Sequence, residues 1–590
     1  MERNSFLINK KIHQYILPGV LMTVAMQLGN VVDGMIVGNL LGAEAMAAIE
    51  ISMPVLLLLQ MAAMMLAMGG AAEAAVLLGK RDMEKAGGVF TASLAAGLAV
   101  SVFFALFTPI LPGPLAMLLA GNDALAELAE PYMMVNFAGI PILTVAIIFC
   151  YFMNADNHPQ LGSALFIIAN VVNLVLDFVF IQSFHMGMAG SALSTVIGYL
   201  TGMVTVGIYF RSKQRMLRLQ KLDKKSFHYV GLAVKAGIPS AAFTLMSALK
   251  SVIINSAIVR ILGNDPMAVY SVCVNAVLIA ELCVGGIIGL IQNIAGILYG
   301  ERDYYGIRTL CKRVLTYSYV AIAVLLLIFL AVPGMIAGLF GIAEGDMLAL
   351  CETALRIFAC SFPFYVYNKF LMSYYQTILQ PGLSTVVTVL QGFVVIVPLT
   401  LVGIFFWGLM GVCLMAVASE AVTILLAALW RILGQRRGKF ESGGVYMLPQ
   451  VTDEKFLDCS VENNLDEVIA FREKLFAFCA ENQITDRDAK VLGLAVEEIA
   501  ANIVQYGYRS GKKNYMDISF TIQDDKYILR LRDDGVPFNP MEYKQQEEET
   551  VTVGGIALIR KMASEFQYMR VLNMNNTVIE LNIQRGCLSR

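Results

Sequence analysis

The chain has few charged residues: only 15% of its 590 residues are Asp, Glu, Lys or Arg, whereas 57% are hydrophobic. This composition is too apolar for a soluble protein, and the length exceeds that of one ordinary domain. The ten cysteines include no C-x-x-C pair, so the usual patterns of a disulfide framework or a structural metal site are missing. The sequence shows no basic surface of the kind that would indicate a nucleic-acid partner.

The charges are distributed unevenly, and their distribution changes near residue 440. Before this point they are sparse and slightly basic in balance, and after it they are frequent and mostly acidic. We therefore predict a membrane domain over 1–435, a linker over 436–454, which contains the glycine pair of ESGGVYM, and a soluble tail domain over 455–590. The first residues contain no small-residue cleavage site, so we expect no cleaved signal peptide.

Apolar stretches of about 20 residues, long enough to cross a bilayer, recur along the membrane domain. They predict an all-α, polytopic membrane domain that has the lipid bilayer as a partner. The twelve expected transmembrane helices are 14–38, 51–77, 90–111, 132–153, 162–183, 190–210, 235–262, 272–298, 314–338, 353–375, 383–406 and 409–433.

These helices fall into two repeats of six, over about 10–210 and about 232–433. One offset relates Pro18 to Pro239, and GKRD at Gly79 to GERD at Gly300. We expect this single offset to hold from the first helix of each repeat to the sixth. An even number of helices per repeat gives both halves the same orientation, a plan that is common in transporters.

Basic residues concentrate in the loops on one side of the membrane domain. The loop between the sixth and seventh helices, RSKQRMLRLQKLDKK, is rich in them, and Arg436 and Arg437 follow the last helix. Positively charged loops stay in the cytoplasm. We therefore expect both termini and the tail domain to be cytoplasmic.

Carboxylates inside predicted helices include Asp33 in the first, Asp177 in the fifth and Glu281 in the eighth. Such residues usually face a cavity or carry a proton, although a structural polar contact between helices is an alternative. Asn173 lies one turn before Asp177 on the same helix face, where it can hydrogen-bond a protonated acid or help to bind a small cation. Asp33 and Asp177 have no acidic counterpart in the second repeat, which favours a site over a duplicated packing contact.

The two repeats, the first-helix segment VVDGMIVGNLLGAEAMAAI and the fifth-helix segment ANVVNLVLDFVFI resemble the multidrug and toxin extrusion (MATE) family, in its DinF-like branch. The resemblance implies a proton or sodium site formed by Asp33, Asn173 and Asp177, with Thr195 nearby. It also implies export of small organic cations in exchange for H⁺ or Na⁺ across a prokaryotic plasma membrane. Protonation of a buried carboxylate would remove a charge and bias an alternating-access equilibrium.

The tail domain alternates helical and strand patterns, which predicts an α/β sandwich. Strands are expected near 456–461, in YMDISFTIQ, in KYILRLRDD, and near 567–572 and 577–584. Helices are expected near 464–482, in DRDAKVLGLAVEEIAANIVQYGY and near 554–566.

Three short motifs of the tail point to a nucleotide site. Glu498 and Asn502 share a helix face, where a carboxylate can act as a general base and an amide oxygen can bind hydrated Mg²⁺. RDDGVPFNP places an acid at a strand end beside a glycine turn, and VGGIALIRKM places glycines at a helix start that can hold phosphate. Each motif alone is weak, because a solvated helix face is the commoner explanation, but three in order are much more specific.

Together the motifs resemble the GHKL (HATPase) ATP-binding fold, most closely the small anti-sigma-factor kinases. The resemblance implies ATP and Mg²⁺ as cofactors. It assigns Glu498 as general base, Asn502 as the Mg²⁺ ligand, Asp533 with Gly535 to adenine recognition, Gly554 and Gly555 to the phosphates, and Thr577 to support of the adenine.

Two positions depart from the family pattern. Tyr506-Gly507 stands where His-Gly is usual, and Thr552 and Val553 align with the first two glycines of the second glycine box. A β-branched residue restricts a loop that must close on phosphate. We therefore expect ATP binding and leave open whether the tail also acts as an ATPase or a serine/threonine kinase.

Two functions are compatible with this sequence. The first is an ion-coupled exporter regulated by an ATP-binding tail, which Asp33 and Asp177 favour. The second is a membrane-anchored signalling protein whose tail is an anti-sigma-type serine kinase or a partner-binding module, which Glu498 keeps open. Its partner would be a STAS-like or sigma-factor-like protein or a second tail. Transport driven directly by ATP is disfavoured, because the sequence has no G-x-x-x-x-G-K-[ST] motif.

Overall fold

The computed structural model of this chain describes residues 2–120, 123–340, 342, 345–438, 444–448, 455–508, 513–523, 525–541 and 555–583. Within these ranges it does not describe the side chains of residues 26–35, 38, 39, 43, 46, 47, 50, 120, 124, 264 and 339. The chain forms two compact units. One is Met1–Ile12 with Ser442–Arg590, here called the tail unit, and the other is His13–Glu441, here called the membrane unit.

The membrane unit is built from α-helices with short connections. In the described residues, π-helical turns interrupt them at Phe178–Ser183, Ile291–Ala295 and Leu390–Val394. The α-helices are α1 (Phe6–Leu41), α2 (Ala43–Gly79), α3 (Met83–Ala105), α4 (Pro112–Ala120), α5 (Asp123–Ala155), α6 (Pro159–Asp177), α7 (Gly187–Gly202), α8 (Val204–Arg211), α9 (Lys224–Leu262), α10 (Asn264–Leu290), α11 (Gly296–Gly300), α12 (Tyr304–Ala331), α13 (Pro333–Leu339), α14 (Asp346–Ala359), α15 (Phe362–Thr377), α16 (Pro381–Val389) and α17 (Ile396–Arg436).

The lengths and apolar compositions of these helices fit a multi-pass membrane protein. Among the described residues, nine helical stretches are long and apolar enough to cross a bilayer, or ten if α14 and α15, bent by 44°, form one span. The stretch Pro381–Arg436 is broken at Gly408 (φ 57°, ψ −138°), which separates the spans predicted at 383–406 and 409–433. The first predicted span lies in α1. Each of the apolar stretches overlaps at least one predicted span, although the ends differ by as much as in Lys224–Leu262, where 235–262 was predicted.

The two halves of the membrane unit repeat the same backbone features. Gly42 and Gly263, which follow the first helix of each repeat, have φ angles of 95° and 97°. Asp82 caps α3 by accepting from the Lys85 amide at 3.1 Å, and Asp303 caps α12 by accepting from the Gly306 amide at 2.8 Å. These matched turns and caps support the duplication read from GKRD and GERD.

The single offset between the repeats is interrupted over one segment. α6 begins at Pro159 and α16 at Pro381, which is one residue beyond the offset that relates Pro18 to Pro239. The original offset returns at Gly187 and Gly408, which share a φ of 57°. The π-helical turns of the two repeats do not correspond under either offset, because one follows the 19 residues of α6 and the other follows the 9 residues of α16.

In the part of the tail unit that the structure describes, five strands form an antiparallel sheet with the order β1-β2-β3-β5-β4. Its strands are β1 (Phe456–Glu462), β2 (Tyr515–Ile522), β3 (Lys526–Asp533), β4 (Glu565–Val571) and β5 (Met574–Asn582). Its helices are α18 (Leu465–Glu481), α19 (Asp486–Asn502) and α20 (Gly555–Met562). Buried side chains of α18 and α19, such as Phe471 and Val496, form one core with Phe520 and Leu529 of the sheet. The predicted α/β sandwich is confirmed.

The first residues of the chain pack within the tail unit, although the predicted domain boundaries place them with the membrane domain. We call residues 3–11 the N-terminal arm. The Arg3 guanidinium pairs with Asp458 at 2.7 Å and with Asp517 at 3.3 Å. The Phe6 ring lies 5.1 Å from the Tyr515 ring, measured between centroids. The basic arm thus binds carboxylates of the acidic tail, and these contacts explain the difference.

Candidate functional sites

Asp177, the buried carboxylate at the end of α6, is hydrogen-bonded to residues of α7. Ser194 Oγ lies within hydrogen-bonding distance of Asp177 Oδ1. Asn173 Nδ2 donates to Ser194 Oγ and to Thr195 Oγ1, both at 3.0 Å. The structure therefore brings Asn173, Asp177 and Thr195, three of the four residues that the resemblance implies, into one cluster. Ser194 was missed, although it directly precedes Thr195 in GSALSTVIGY.

Small residues allow α7 to approach α6 closely enough for these hydrogen bonds. A Cβ atom at Gly198 would overlap the Ala169 carbonyl oxygen of α6, and one at Gly202 would lie 2.6 Å from the Leu165 carbonyl oxygen. Close contacts through glycine are typical of helix pairs in membranes. Close backbone packing of α7 against α6 thus adjoins the cluster.

Asp33 lies in α1, and its side chain is outside the part of the chain that the structure describes. The same helix nevertheless contacts α6, because Asn170 Nδ2 donates to the Ala25 carbonyl oxygen at 2.5 Å. α6 thus contacts both α1 and α7, the helices that carry the other predicted site residues.

A cavity of about 510 Å³ lies between helices of the two repeats. Thr195 lines it, so one member of the Asp177 cluster borders the cavity. Glu281 also lines it and pairs with Lys369 at 3.1 Å, while the Tyr365 hydroxyl donates to Glu281 Oε2 at 2.5 Å. The sequence left the role of Glu281 open, and the structure places Glu281 in an ion pair at the cavity wall.

Glu420 of α17 is another carboxylate within the predicted helices, and it was not recognised from the sequence. Its oxygens accept from Asn368 Nδ2 at 2.6 Å and from Gln391 Nε2 at 3.0 and 2.9 Å. An acid inside the apolar run LMAVASEAVTILL was a usable signal. Its amide partners lie on α15 and in the π-helical turn after α16, and only the tertiary fold brings them together.

The first and third motifs of the tail meet at α19 and α20. A Cβ atom at Gly555 would overlap the Glu498 carboxylate, so only glycine fits where α20 begins. Asn502 Nδ2 donates to the Glu498 carbonyl oxygen at 2.7 Å. Since the amide nitrogen is used in this way, Asn502 Oδ1 is the atom that could bind a cation. Gly554 lies outside the described residues.

The second motif places Asp533 at the end of β3, with its side chain buried. Asp533 Oδ1 accepts from the Gly535 amide at 2.8 Å and from Asn575 Nδ2 at 2.9 Å. Burial raises the pKa of this carboxyl to about 6, although the hydrogen bonds from Asn575 and Gly535 act to lower the pKa. Thr577 lies two residues beyond Asn575 on β5, on the same face of the sheet.

The helix motif and the D-x-G motif also touch each other. The Gly507 carbonyl oxygen accepts from the Val536 amide at 2.8 Å, and a Cβ atom at Gly535 would lie 2.5 Å from that same oxygen. Tyr506, at the position of the usual histidine, is 73% exposed and takes no part in this contact. The D-x-G glycine is therefore required by the close approach of two loops.

The residues present fit a nucleotide with Mg²⁺. Asp533 Oδ2 can accept from an adenine amino group, because the described hydrogen bonds of this side chain use Oδ1. Among the described residues no group of three or more His, Cys, Asp or Glu side chains could hold a metal. Asn502 Oδ1 would bind a Mg²⁺ that the phosphates also bind, which suits the preference of Mg²⁺ for few protein ligands.

The N-terminal arm reaches the edge of this site. Lys10 Nζ pairs with Asp534 Oδ2 at 2.5 Å, one residue beyond Asp533. Lys11 Nζ donates to the Asn573 carbonyl oxygen at 3.2 Å, in the turn that leads into β5. Burial lowers the pKa of Lys11 to about 8. The arm therefore contacts both strand ends between which Asp533 and Asn575 are hydrogen-bonded.

Comparisons with known proteins agree with both units. A family model for MatE matches residues 18–179, and a model for the histidine kinase-like ATPase domain matches residues 461–582. The multidrug export protein MepA of Staphylococcus haemolyticus is 22% identical over 71% of this chain and 92% of its own length. The DNA damage-inducible protein F of Escherichia coli is 23% identical over 50% of this chain and 64% of its own length.

Two solved structures share the fold of the membrane unit. A MOP superfamily transporter from Pyrococcus furiosus, described as having a binding pocket of reverse polarity, superposes with a TM-score of 0.67 at 20% identity, over 73% of this chain and 97% of that chain. An outward-facing multidrug resistance MATE family transporter superposes with a TM-score of 0.66 at 20% identity, over 74% of this chain and 100% of that chain.

Fold and sequence together define a multi-pass membrane transporter with an ATPase-like domain on the same chain. Residues 18–179 match the MATE family and residues 461–582 match the histidine kinase-like ATPase domain, so the chain combines a MATE-like part with a GHKL-like C-terminal domain.

Proposed function

We propose that the membrane unit is a secondary antiporter that exchanges H⁺ or Na⁺ for small organic compounds carrying a positive charge. It would work in a prokaryotic plasma membrane, with both termini in the cytoplasm, as its basic loops suggest. Asp177 would bind the coupling ion with Asn173, Thr195 and Asp33. The names of relatives such as MepA, a multidrug export protein, support export as the direction of transport.

This proposal is supported chiefly by the Ser194 hydroxyl, which has one proton and two oxygen acceptors within hydrogen-bonding distance. A hydroxyl has one proton to donate. Ser194 Oγ lies 2.6 Å from the Ser191 carbonyl oxygen and also contacts Asp177 Oδ1, while it accepts from Asn173. If the hydroxyl proton goes to Ser191, Asp177 must be protonated to donate to Ser194. If the proton goes to Asp177, the carboxylate can be ionised. Both protonation states of Asp177 thus fit one arrangement of heavy atoms.

Export from proteoliposomes under an imposed pH or Na⁺ gradient tests the antiporter. We expect Asp177→Asn to abolish gradient-driven export of a cationic dye, because an amide cannot take up a proton. Ser194→Ala should shift the pH dependence of export without abolishing export. Glu352→Gln, which changes a surface carboxylate that pairs with Arg356, is the control. Full gradient-driven export by Asp177→Asn would refute the proposal.

We also propose that the tail unit binds ATP with Mg²⁺ and regulates export. Glu498 and Asn502 would face the phosphates at the start of α20, and Asp533 would bind the adenine. The N-terminal arm supports regulation, since Lys10 pairs with Asp534 beside the adenine residue and the arm continues along α1. Nucleotide in the site would therefore bear on a segment that belongs to the same helix as Asp33.

A second function, phosphorylation of a partner protein by the tail, is supported by the intact pair of Glu498 and Gly555. The two functions differ in what Glu498→Gln should do. If the tail only senses ATP, the variant still binds ATP and export still responds to ATP. If the tail is a serine kinase, the variant loses transfer of phosphate from labelled ATP to a STAS-like or sigma-factor-like partner. Loss of that transfer, with export indifferent to ATP, would favour the signalling role.

A further inference from the structure

The charged groups that line the cavity of the membrane unit balance each other. Among the described residues, Glu281 of α10 and Lys369 of α15 are the ionisable acid and base of the lining, and they pair at 3.1 Å. Tyr365 adds a hydroxyl donor to the same carboxylate. The described lining therefore carries no net charge, although it contains both a fixed negative and a fixed positive group.

Lys369 has hydrogen-bonding capacity beyond this pair. An ammonium group has three N–H donors and no acceptor. Within the described part of the chain its polar partner is Glu281, and its Nζ lies 5.0 Å from the centre of the Phe243 ring. The side chain is 24% exposed in a residue that lines the cavity. Donors of Lys369 are thus available to a molecule in the cavity.

This arrangement discriminates between ligand charges. A ligand with a single positive charge that approaches Glu281 also approaches the Lys369 ammonium, and like charges repel strongly where water is excluded. A ligand that carries an ammonium and a carboxylate can place its positive group near Glu281 and its negative group near Lys369. Each of the four charges then has an opposite neighbour, and no charge is buried unpaired.

The rest of the lining suits a large apolar body. Six methionines line the cavity, namely Met22, Met53, Met61, Met64, Met68 and Met372. Methionine side chains are flexible and polarizable, so they adapt to ligands of different shape and contact aromatic rings favourably. A volume of about 510 Å³ is within the range of sites for drug-sized molecules.

We propose that the cavity binds zwitterionic, amphipathic aromatic compounds in preference to simple cations, with Lys369 as the specificity-determining residue for the carboxylate. This inference rests on the proposed function in one respect, that the cavity lies on the path of the exported compound. The exported compound would then carry a carboxylate in addition to its positive charge.

A pair of rhodamine dyes that differ by one methyl ester tests the preference. Rhodamine 110 is a zwitterion with a free benzoate, and rhodamine 123 is its methyl ester and a monocation. Binding to the purified full-length protein is followed by fluorescence anisotropy. We expect the acid to bind about tenfold more tightly than the ester, as for one charge-assisted hydrogen bond. Lys369→Met should remove this preference, and Lys369→Arg should keep it.

Lys250→Met is the matched control, because Lys250 is a lysine of α9 that does not line the cavity. Equal binding of both dyes to the unchanged protein, tighter binding of the ester, or an unchanged preference in Lys369→Met would each overturn the inference. Gradient-driven export of the ester without a preference for the acid would overturn it while leaving the antiporter intact. A preference for the acid with no gradient-driven export of either dye would support it and refute the antiporter alone.

Discussion

Asp533 at the end of β3 provides the sharpest test of the nucleotide site, because its two predicted effects have opposite signs. Its carboxyl is buried, and its pKa is raised from the ordinary 3.8 to about 6. We expect Asp533→Asn to stabilise the tail unit and at the same time to weaken nucleotide binding. A residue kept only for stability would not show this combination.

The size of the stability effect follows from the pKa. The folded state holds this proton up to about pH 6, and the unfolded chain holds it only up to about pH 3.8. The free energy of unfolding therefore falls as the pH rises through this window, and above it the ionised carboxyl has destabilised the fold by about 3 kcal/mol. An asparagine avoids this ionisation but adds a buried amide that needs a partner, so we expect a net gain of about 1–3 kcal/mol at pH 7.5.

The effect on nucleotide binding follows from the hydrogen-bond inventory. Asn at position 533 can still accept from the Gly535 amide and from Asn575 through Oδ1, as Asp533 does. Its amide nitrogen would replace Oδ2 and present a donor to the adenine amino group, which is also a donor. A hydrogen bond to a charged group contributes about 1.5–3 kcal/mol, so we expect at least about tenfold weaker binding. In the unchanged protein, ATP affinity should fall as the pH drops below about 6.

Both effects can be measured on the full-length protein. Hydrogen exchange of peptides from β3 and β5 reports the unfolding of the tail unit, and a fluorescent ATP analogue reports affinity. Asp525→Asn, an exposed acid in the turn between β2 and β3, is the control and should change neither. Unchanged nucleotide affinity in Asp533→Asn would refute the adenine assignment, and faster exchange would refute the reasoning about ionisation.

Three further variants test other parts of the structure. Gly555→Ala places a methyl group on the Glu498 carboxylate and should weaken ATP binding about tenfold or more. Hydrogen exchange in β3 should stay unchanged. Normal ATP affinity would show that α20 is not part of the site. Arg3→Ala removes the cation between Asp458 and Asp517 and should weaken docking of the N-terminal arm by about 3–5 kcal/mol. Hydrogen exchange in residues 3–11 should then be faster. Unchanged exchange would argue against docking. Asp156→Asn weakens the hydrogen bonds that Asp156 accepts from the Met216 and Leu217 amides at 2.8–3.1 Å, by about 1.5–3 kcal/mol in total. Trypsin should therefore cut the loop at Lys213 and Arg215 faster. An unchanged cleavage rate would show that other contacts hold the loop.

The sequence predicted the elements of both units well, because their signals are local. Hydrophobic runs identify membrane helices whatever their neighbours are, and Gly42 and Gly263 mark the end of the first helix of each repeat. The pair Glu498 and Asn502 could be recognised because four residues make one helical turn. The cluster at Asp177 was accessible for the same reason, since Asn173 lies on the same helix.

Contacts between distant elements could not be predicted in this way. Asn575 is the partner of Asp533 only through the register of β3 and β5, and several registers would satisfy the same alternating pattern. The pairing of Glu281 with Lys369 needs the packing of α10 against α15, for which the sequence carries no periodic signal. Lys369 can be seen within SFPFYVYNKFL, but a single lysine in a predicted span does not indicate which residue it pairs with.

The N-terminal arm implies an order of events during synthesis. Arg3 and Asp458 are separated by 455 residues, so the ribosome releases the arm long before the surface that binds it. At a translation rate of about 5–20 residues per second, the delay is about 20–90 s. During this time the membrane helices are inserted while the arm is undocked, and the last 150 residues or so to be made complete its binding surface. A docked arm therefore requires that the chain has been synthesised at least as far as Asn573 and that the surface around Asp458, Asp517 and Asp534 has folded.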